Sequence, residues 1–254
     1  MSVLALRLGG PLQAWGGSQR LERYRRTERF PTKSAVIGLL AAALGRARSD
    51  AIDDLVTLRF GVRADRPGEV TRDFHTLSSL FDEKGRFAPG EGRLPTASGD
   101  YRSTLTSTQV TERLYLADAC FVAGLEGDAA LLVELDEALK YPVFPLYLGR
   151  RSCPPDRPLR LGLHDGGLLE ALASITWQAG AGTTHEGPSV RCEAVIEDPL
   201  GDRELVDEVR SFHPIHRSYS RRRVRHHYVE VPNPAADTGH SASHDPMALL
   251  EEDY

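Results

Sequence analysis

The sequence has few of the residues and motifs that mark the commonest enzyme and metal sites. Among 254 residues there are three cysteines, Cys120, Cys153 and Cys192, and their wide spacing predicts neither a disulfide framework nor a zinc site. An odd number of cysteines and no recognisable signal peptide predict a reducing cytoplasm. No Walker A motif, GxSxG motif or dinucleotide-binding fingerprint occurs. The sequence therefore predicts no metal, no cofactor and no catalytic residue set.

Lysine is also scarce, although the chain is rich in arginine. Only Lys33, Lys84 and Lys140 are lysines among 31 basic residues, and the formal net charge is −5. Guanidinium groups bind phosphate bidentately and stack on bases, so an arginine excess suits RNA, although a GC-rich genome would give the same ratio. Residues 1–50 hold nine basic residues against three acidic ones, and residues 210–228 hold six arginines and no acid. Such local basic patches indicate a defined anionic ligand.

The apolar run over residues 34–44 is about a dozen residues long, whereas a membrane span needs roughly 20, so we expect no membrane association. It predicts a helix that follows an N-cap at Thr32, or alternatively Ser34, and ends before Gly45. Lys33 lies in the first turn, where a cation opposes the helix dipole and a bound anion would relieve the conflict. A solvated Lys33 beside an ordinary cap is the alternative.

Short periodic segments predict an α+β fold. Strands are expected over residues 3–8, 56–62, 70–77, 114–125 and 146–148, and a second helix follows an N-cap at Asp128 and runs to Lys140. With the first helix, this order predicts a ferredoxin-like βαββαβ domain over residues 1–155. Residues 156–232 predict a smaller β-rich unit, with strands over 159–163, 189–197 and 224–231 and a helical turn over 168–173. The acidic residues 233–254 are expected to form a disordered tail.

Glycine and proline interrupt every pattern between residues 78 and 101, and a run of serine and threonine follows. β-branched residues suit an extended arm. We therefore expect a projecting hairpin over about 76–110, with a disordered surface loop as the alternative.

Four motifs occur in order along the chain: GPLQAWG with RFPTKSAVIGLLAAALG, RDFHT at 72–76, RLYLADACF at 113–121 and YLGRRSCPP at 147–155. Together they resemble the CasD family, the small RNA-end subunit of the type I-E CRISPR surveillance complex called Cascade. The resemblance covers residues 3 to about 160 and is weaker beyond. It implies an RRM-like fold of the RAMP superfamily whose hairpin is a thumb that reaches across guide RNA. It also implies a non-catalytic role in antiviral defence, because another subunit, CasE, cuts the repeat.

The resemblance and the residue chemistry together predict an RNA-binding surface. Its expected members are Gln13, Ala14, Trp15, Gly16, Arg26, Arg29, Thr32, Lys33, Ser34, Arg102, Thr104, Thr106, Thr108, Tyr147, Gly149, Arg150, Arg151 and Ser152. Trp15 is expected to stack on a base, with a core position as the commoner alternative. A second basic segment is expected to contact RNA, DNA or a partner, or to be an edge strand protected by charge. It contains Arg221, Arg222, Arg223 and Arg225.

The resemblance implies four partners. They are the 5′ handle of CRISPR RNA (crRNA), the backbone subunit CasC, the large subunit CasA and, indirectly through the complex, target DNA. Two other functions stay open. The chain could be a metal-independent endoribonuclease that uses His75, Tyr24 and Lys33, since type I-C relatives cleave the repeat. It could also be an adaptor whose basic patches bind acidic proteins.

Overall fold

The computed structural model describes residues 2–16, 24–78, 84, 86–87, 108–180, 185, 187–213 and 216–234. The helices within these ranges are α1 Lys33–Ala43, α2 Asp53–Val56, α3 Ala129–Lys140 and α4 Leu168–Ser174. The strands are β1 Ser2–Gly9, β2 Leu12–Gln13, β3 Tyr24–Arg25, β4 Arg59–Arg66, β5 Glu69–Ser78, β6 Thr108–Ala117, β7 Cys120–Glu126, β8 Arg160–Asp165, β9 Ser189–Glu197, β10 Arg203–Ser211 and β11 Ser218–Pro232. No helix in the described ranges is long and apolar enough to cross a membrane.

A seven-stranded antiparallel sheet in the order β10-β11-β9-β4-β7-β1-β8 forms the body of the chain. Successive side chains of a strand point to opposite faces, and both faces of β1 are buried. Leu4, Leu6 and Leu8 pack with α1 and α3 on one face. Val3 and Ala5 pack with α4 on the other face. The sheet is therefore covered on both sides where β1 runs.

Both long helices confirm the predictions from sequence. The hydroxyl of Thr32 caps α1 by accepting a hydrogen bond from the backbone N–H of Ala35 at 3.4 Å. The carboxylate of Asp128 caps α3 in the same way, through the N–H of Leu131 at 3.0 Å. Local capping chemistry and apolar spacing determine these boundaries, which shift by at most one residue from the expected ones.

A second sheet has the order β2-β6-β3, with β5 paired to β6. It corrects two expectations. The long strand expected over 114–125 is two strands in different sheets, because Asp118 adopts a left-handed conformation (φ 59°) between them. The strand expected over 70–77 corresponds to β5, which lies in this second sheet. Residues 79–83, 85 and 88–107, which would form most of the expected thumb, lie outside the described residues.

The strand expected over 146–148 is wrong, because this segment forms a loop. The N–H of Leu148 donates to the carbonyl of Cys153 at 2.7 Å, and its own carbonyl accepts from Ala14. The neighbour of β1 on that side is β8 instead. β9 pairs with β4, so hydrogen bonding continues across the expected boundary at residue 155. Strand β10 was not expected, and residues 235–254 lie outside the described residues.

Candidate functional site

Gln13 and Trp15, in the segment after β1, are buried rather than open to a ligand. The amide nitrogen of Gln13 donates to the carbonyls of Leu8 and Ala119 at 3.0 and 2.7 Å, and its oxygen accepts from the indole N–H of Trp15 at 2.9 Å. Neither Gln13 nor Trp15 has any exposed area. Burial leaves no ring face for a base, so the stacking role expected of Trp15 is wrong and the core alternative is correct.

The start of α1 is occupied by the chain's own carboxylates. Lys33 is 1% exposed, and its Nζ lies 3.1 Å from Glu197 and 3.2 Å from Glu208. The backbone N–H of Lys33 donates to Asp207 at 2.9 Å, so this carboxylate takes the place of the anion expected at the helix N-terminus. The RNA contact expected of Lys33 is therefore wrong, and so is its solvated alternative.

Other expected residues near this helix have structural roles. Thr32 and Ser34 are buried, and the hydroxyl of Thr32 donates to the carbonyl of Gly16 at 3.2 Å. These bonds hold the segment that contains Ala14 and Gly16 against α1. Arg26 and Arg29 are exposed. Arg102, Thr104 and Thr106 lie outside the described residues, and Thr108 begins β6 with a side chain that is likewise outside them.

The basic segment of β11 is largely paired with acids. Arg222 is buried and forms a bidentate pair with Asp207 at 2.7 and 2.9 Å, so the external contact expected of it is wrong. The exposed members pair with Glu204 and Asp198: Arg221 at 3.3 Å, Arg223 at 3.8 Å and Arg225 at 3.0 Å. Strand β11 lies between β10 and β9, so the edge-strand alternative is also wrong.

Gly149 begins the loop that positions Arg150. It has φ +87°, and a Cβ there would lie 1.8 Å from the carbonyl oxygen of Ala14, so only glycine fits. Arg150 donates to the carbonyls of Leu114 and Arg25, each at 3.0 Å, and its guanidinium carbon lies 4.5 Å from the centre of the Tyr115 ring. Arg151 and Ser152 are exposed on the same loop, whereas Tyr147 is half-buried.

Three half-buried arginines meet around Tyr115, and we call Arg25, Arg113 and Arg150 the arginine cluster. The register of β3 on β6 places Arg25 beside Arg113. The Nε atoms of both are buried and have no hydrogen-bond partner. Burial, together with repulsion from Arg113 and Arg150, lowers the pKa of Arg25. Concentrated positive charge is what a phosphate-binding site requires.

The acids and the tyrosine near the cluster do not neutralise it. Asp73 lies opposite Arg113 on β5, but its carboxylate is directed to His75, at 3.5 Å. Among the described residues, no carboxylate lies within ion-pair distance of any of the three arginines. Burial alone would raise the pKa of Tyr115, but hydrogen bonds from Arg150 and Ser152 hold it below its usual value. The phenol oxygen is thus a local acceptor in a cationic setting.

Sequence reasoning singled out Arg150 and Ser152 but not Arg25, Arg113 or Tyr115. A signal was present, because residues two apart on a strand share a face, which places Arg113 and Tyr115 together on β6. No pattern in a single sequence predicts that Arg113 and Tyr115 contact the loop of Arg150.

The residues considered for RNA cleavage are not brought together. Lys33 is held in its own ion pairs. Tyr24 is in register with Glu112, whereas His75 is in register with the preceding residue, Thr111, so Tyr24 and His75 point to opposite faces of the second sheet. Within the described part of the chain, no three histidine, cysteine or carboxylate side chains are placed to hold a metal ion.

Comparison with known proteins places the chain in a family. Residues 3–225 match the model of the family described as CRISPR-associated protein (Cas_Cas5). The CRISPR system Cascade subunit CasD of Escherichia coli (strain K12) is 39% identical over 178 residues, which cover 63% of this chain and 70% of that protein.

Two solved structures also resemble the fold. A chain of a CRISPR RNA-guided surveillance complex superposes with a TM-score of 0.74 and 34% identity, covering 91% of both chains. A crystal structure of a Cas protein gives a TM-score of 0.67 and 36% identity, covering 91% of this chain and 97% of that one. The chain therefore belongs to the CRISPR-associated Cas5 family.

Proposed function

We propose that this chain is a non-catalytic, RNA-binding subunit of a type I-E CRISPR interference complex of the Cascade kind. The main structural observation behind the proposal is the arginine cluster, which concentrates positive charge where no described acid neutralises it. The likeness to the CasD subunit of Cascade and to a chain of a surveillance complex supplies the biological setting. The RNA is crRNA, and the bound part is its 5′ handle.

The arginine cluster would hold the sugar-phosphate chain. Arg25 and Arg113 are half-buried, and Arg150 is fixed in place by two backbone carbonyls and the Tyr115 ring. Fixed guanidinium groups lose little conformational entropy when phosphate binds. The exposed Arg151 and Ser152 extend the same surface.

A ferredoxin-like core supports this surface. The elements β1, α1, β4, β7, α3 and β8 follow one another in the βαββαβ order, and the four strands lie side by side as β4-β7-β1-β8. The β5–β6 hairpin is inserted between the second and third core strands. A thumb over about 76–110 would continue from the far end of this hairpin. The core takes its last strand, β8, from the segment 156–232, and the rest of that proposed smaller unit extends the sheet through β9, β11 and β10. Residues 233–254 are the proposed disordered tail.

The absence of catalysis is inferred from the separation of the candidate groups. A general base and a cation must both reach the same phosphate, but Lys33 is buried in a separate ionic cluster. Cleavage of the repeat is then the work of another subunit. The cytoplasmic partners are crRNA, CasC and CasA, with target DNA bound through the assembled complex.

Salt-dependent RNA binding by the full chain tests this proposal. We would measure the affinity for a single-stranded RNA with a repeat-derived 5′ end by fluorescence anisotropy at several salt concentrations. Each phosphate contact contributes about 0.7 to the slope of log affinity against log salt. Arg113→Ala should weaken binding and lower that slope by about 0.7. The control Arg48→Ala, at an exposed arginine after α1, should change neither the affinity nor the slope. Equal behaviour of the two variants would contradict the proposal.

A further inference from the structure

The second sheet has an exposed face opposite the arginine cluster. Partner residues on paired strands share a face, so the register places Phe74, Glu112 and Tyr24 in one row across β5, β6 and β3. Phe74 is 65% exposed and Tyr24 is 54% exposed. The two rings sit on strands separated by β6, so their Cα atoms are about 9.5 Å apart by two inter-strand spacings. Each ring therefore presents its own free face.

The surroundings of these rings are basic and partly concave. A cavity of about 80 Å³ lies between Tyr24, Arg25, Arg26, Glu112 and Leu114. Arg72, which is 72% exposed, lies in the neighbouring row and forms an ion pair with Glu112 at 3.4 Å. Exposed aromatic rings on a sheet, surrounded by arginines, provide the stacking and charge that unpaired nucleotides use.

We propose that Tyr24 and Phe74 each stack on one unpaired base of the bound RNA, and that Glu112 between them selects bases that carry an exocyclic amino group. We call these three residues the aromatic platform. The inference rests on the proposed RNA-binding function. It adds that the bound RNA is unpaired at this surface and that bases with an exocyclic amino group are preferred. It also adds a base-binding surface on the face of the β3–β6 pair opposite the arginine cluster, and Arg25 of that cluster also lines the cavity beside Tyr24 and Glu112.

Glu112 determines the base preference by its hydrogen-bonding chemistry. Its side chain is 17% exposed, and the long ion pair with Arg72 leaves acceptor positions unused. A carboxylate accepts hydrogen bonds from the amino groups of cytosine, adenine and guanine. Uracil has no amino group, and two carbonyl acceptors flank its one N–H donor, so it repels the carboxylate. A protein partner would need no such discrimination.

The test is anisotropy with the full chain and two probes of equal length, single-stranded oligocytidylate and oligouridylate. Tyr24→Ala and Phe74→Ala should each weaken cytidylate binding about 5- to 150-fold, which is the range that one stacked base carries. The slope against salt should stay unchanged, because no phosphate contact is lost. Tyr24→Phe should bind as the wild type does. Val70 lies on β5, as Phe74 does, and is 61% exposed. Val70→Ala is therefore the matched control and should not change the affinity for cytidylate.

Glu112→Gln should abolish the preference for cytidylate over uridylate, because an amide can donate to uracil as well as accept from cytosine. The inference is overturned if both aromatic variants bind as Val70→Ala does, or if they lose only the association with other protein subunits. If RNA binding then still depends on Arg113, the proposed function survives that result. If the wild type binds neither probe nor the repeat-derived RNA, both proposals fail.

Discussion

Replacement of the buried Asp207 by alanine should be among the most destabilising single changes in the seven-stranded sheet. Asp207 is 4% exposed, and its carboxylate accepts three hydrogen bonds, two from Arg222 at 2.7 and 2.9 Å and one from the backbone N–H of Lys33 at 2.9 Å. Without it, Glu197, at 4.0 Å, is the one carboxylate of the described residues that remains near the buried Arg222 guanidinium. One Nη atom of Arg222 already lacks a hydrogen-bond partner.

Breaking a buried ion pair by removing one partner costs about 3–5 kcal/mol, because the remaining charge is left in a poor solvent. In a chain of this size, each kcal/mol lowers Tm by about 2–4 °C, so Asp207→Ala should lower Tm by about 6–20 °C. Glu204 provides a control on the same strand, since it pairs with Arg221 and Arg223 while 46% of its side chain is exposed. Exposed pairs contribute about 0–1 kcal/mol, so Glu204→Ala should lower Tm by less than about 4 °C.

Thermal unfolding followed by circular dichroism measures both variants under identical conditions. The double variant Asp207→Leu with Arg222→Met should recover much of the loss, because it leaves no unpaired buried charge. Equal Tm shifts for Asp207→Ala and Glu204→Ala would refute the reasoning, and so would a double variant no more stable than Asp207→Ala.

Two further predictions concern the segment around the arginine cluster and β1. Gly149→Ala should lower the free energy of unfolding more than Gly187→Ala does, by urea denaturation, because both have positive φ but only Gly149 has a backbone oxygen in the place of the new Cβ. The hydrogen bond from Arg7 lowers the pKa of Asp156 below its ordinary value of 3.8. Asp156→Asn should therefore be less stable than the wild type near neutral pH, and this difference should shrink as pH falls below 3.8 through the lowered pKa; a difference that is constant with pH would contradict the assignment.

Local chemistry explains which parts of the fold could be predicted from the sequence. Thr32 and Asp128 are caps that act within three residues, and the apolar spacing of α1 and α3 lies within a few turns. The strand over 189–197 was also predicted, because its alternating pattern is local. By contrast, the chain passes from one sheet to the other at Asp118, which has a positive φ. Aspartate tolerates this conformation, but one aspartate in a strand-like run does not by itself predict it.

Long-range pairing explains what was missed at the site. The carboxylate partners of Lys33 are 164 and 175 residues away in the chain. The local sequence around a basic residue at a helix N-terminus is the same whether a phosphate or a distant carboxylate binds there. Sequence alone therefore could not distinguish the two cases at Lys33. The arginine cluster also depends on contacts between residues far apart in the chain, since Arg150 and the carbonyl of Arg25 that it contacts are separated by 125 residues. Charge clustering in the sequence indicated an anionic ligand but could not indicate which arginines stay unneutralised.

The most direct test of the RNA-binding role is to express the chain with a CRISPR transcript and the candidate partner subunits, to purify it and to sequence the bound RNA. The account predicts a uniform short RNA with one fixed, repeat-derived 5′ end that forms only when a separate nuclease subunit is present. Formation of that end by the chain alone would contradict the non-catalytic role. Recovery of the assembled complex with no RNA on this subunit would contradict RNA binding itself.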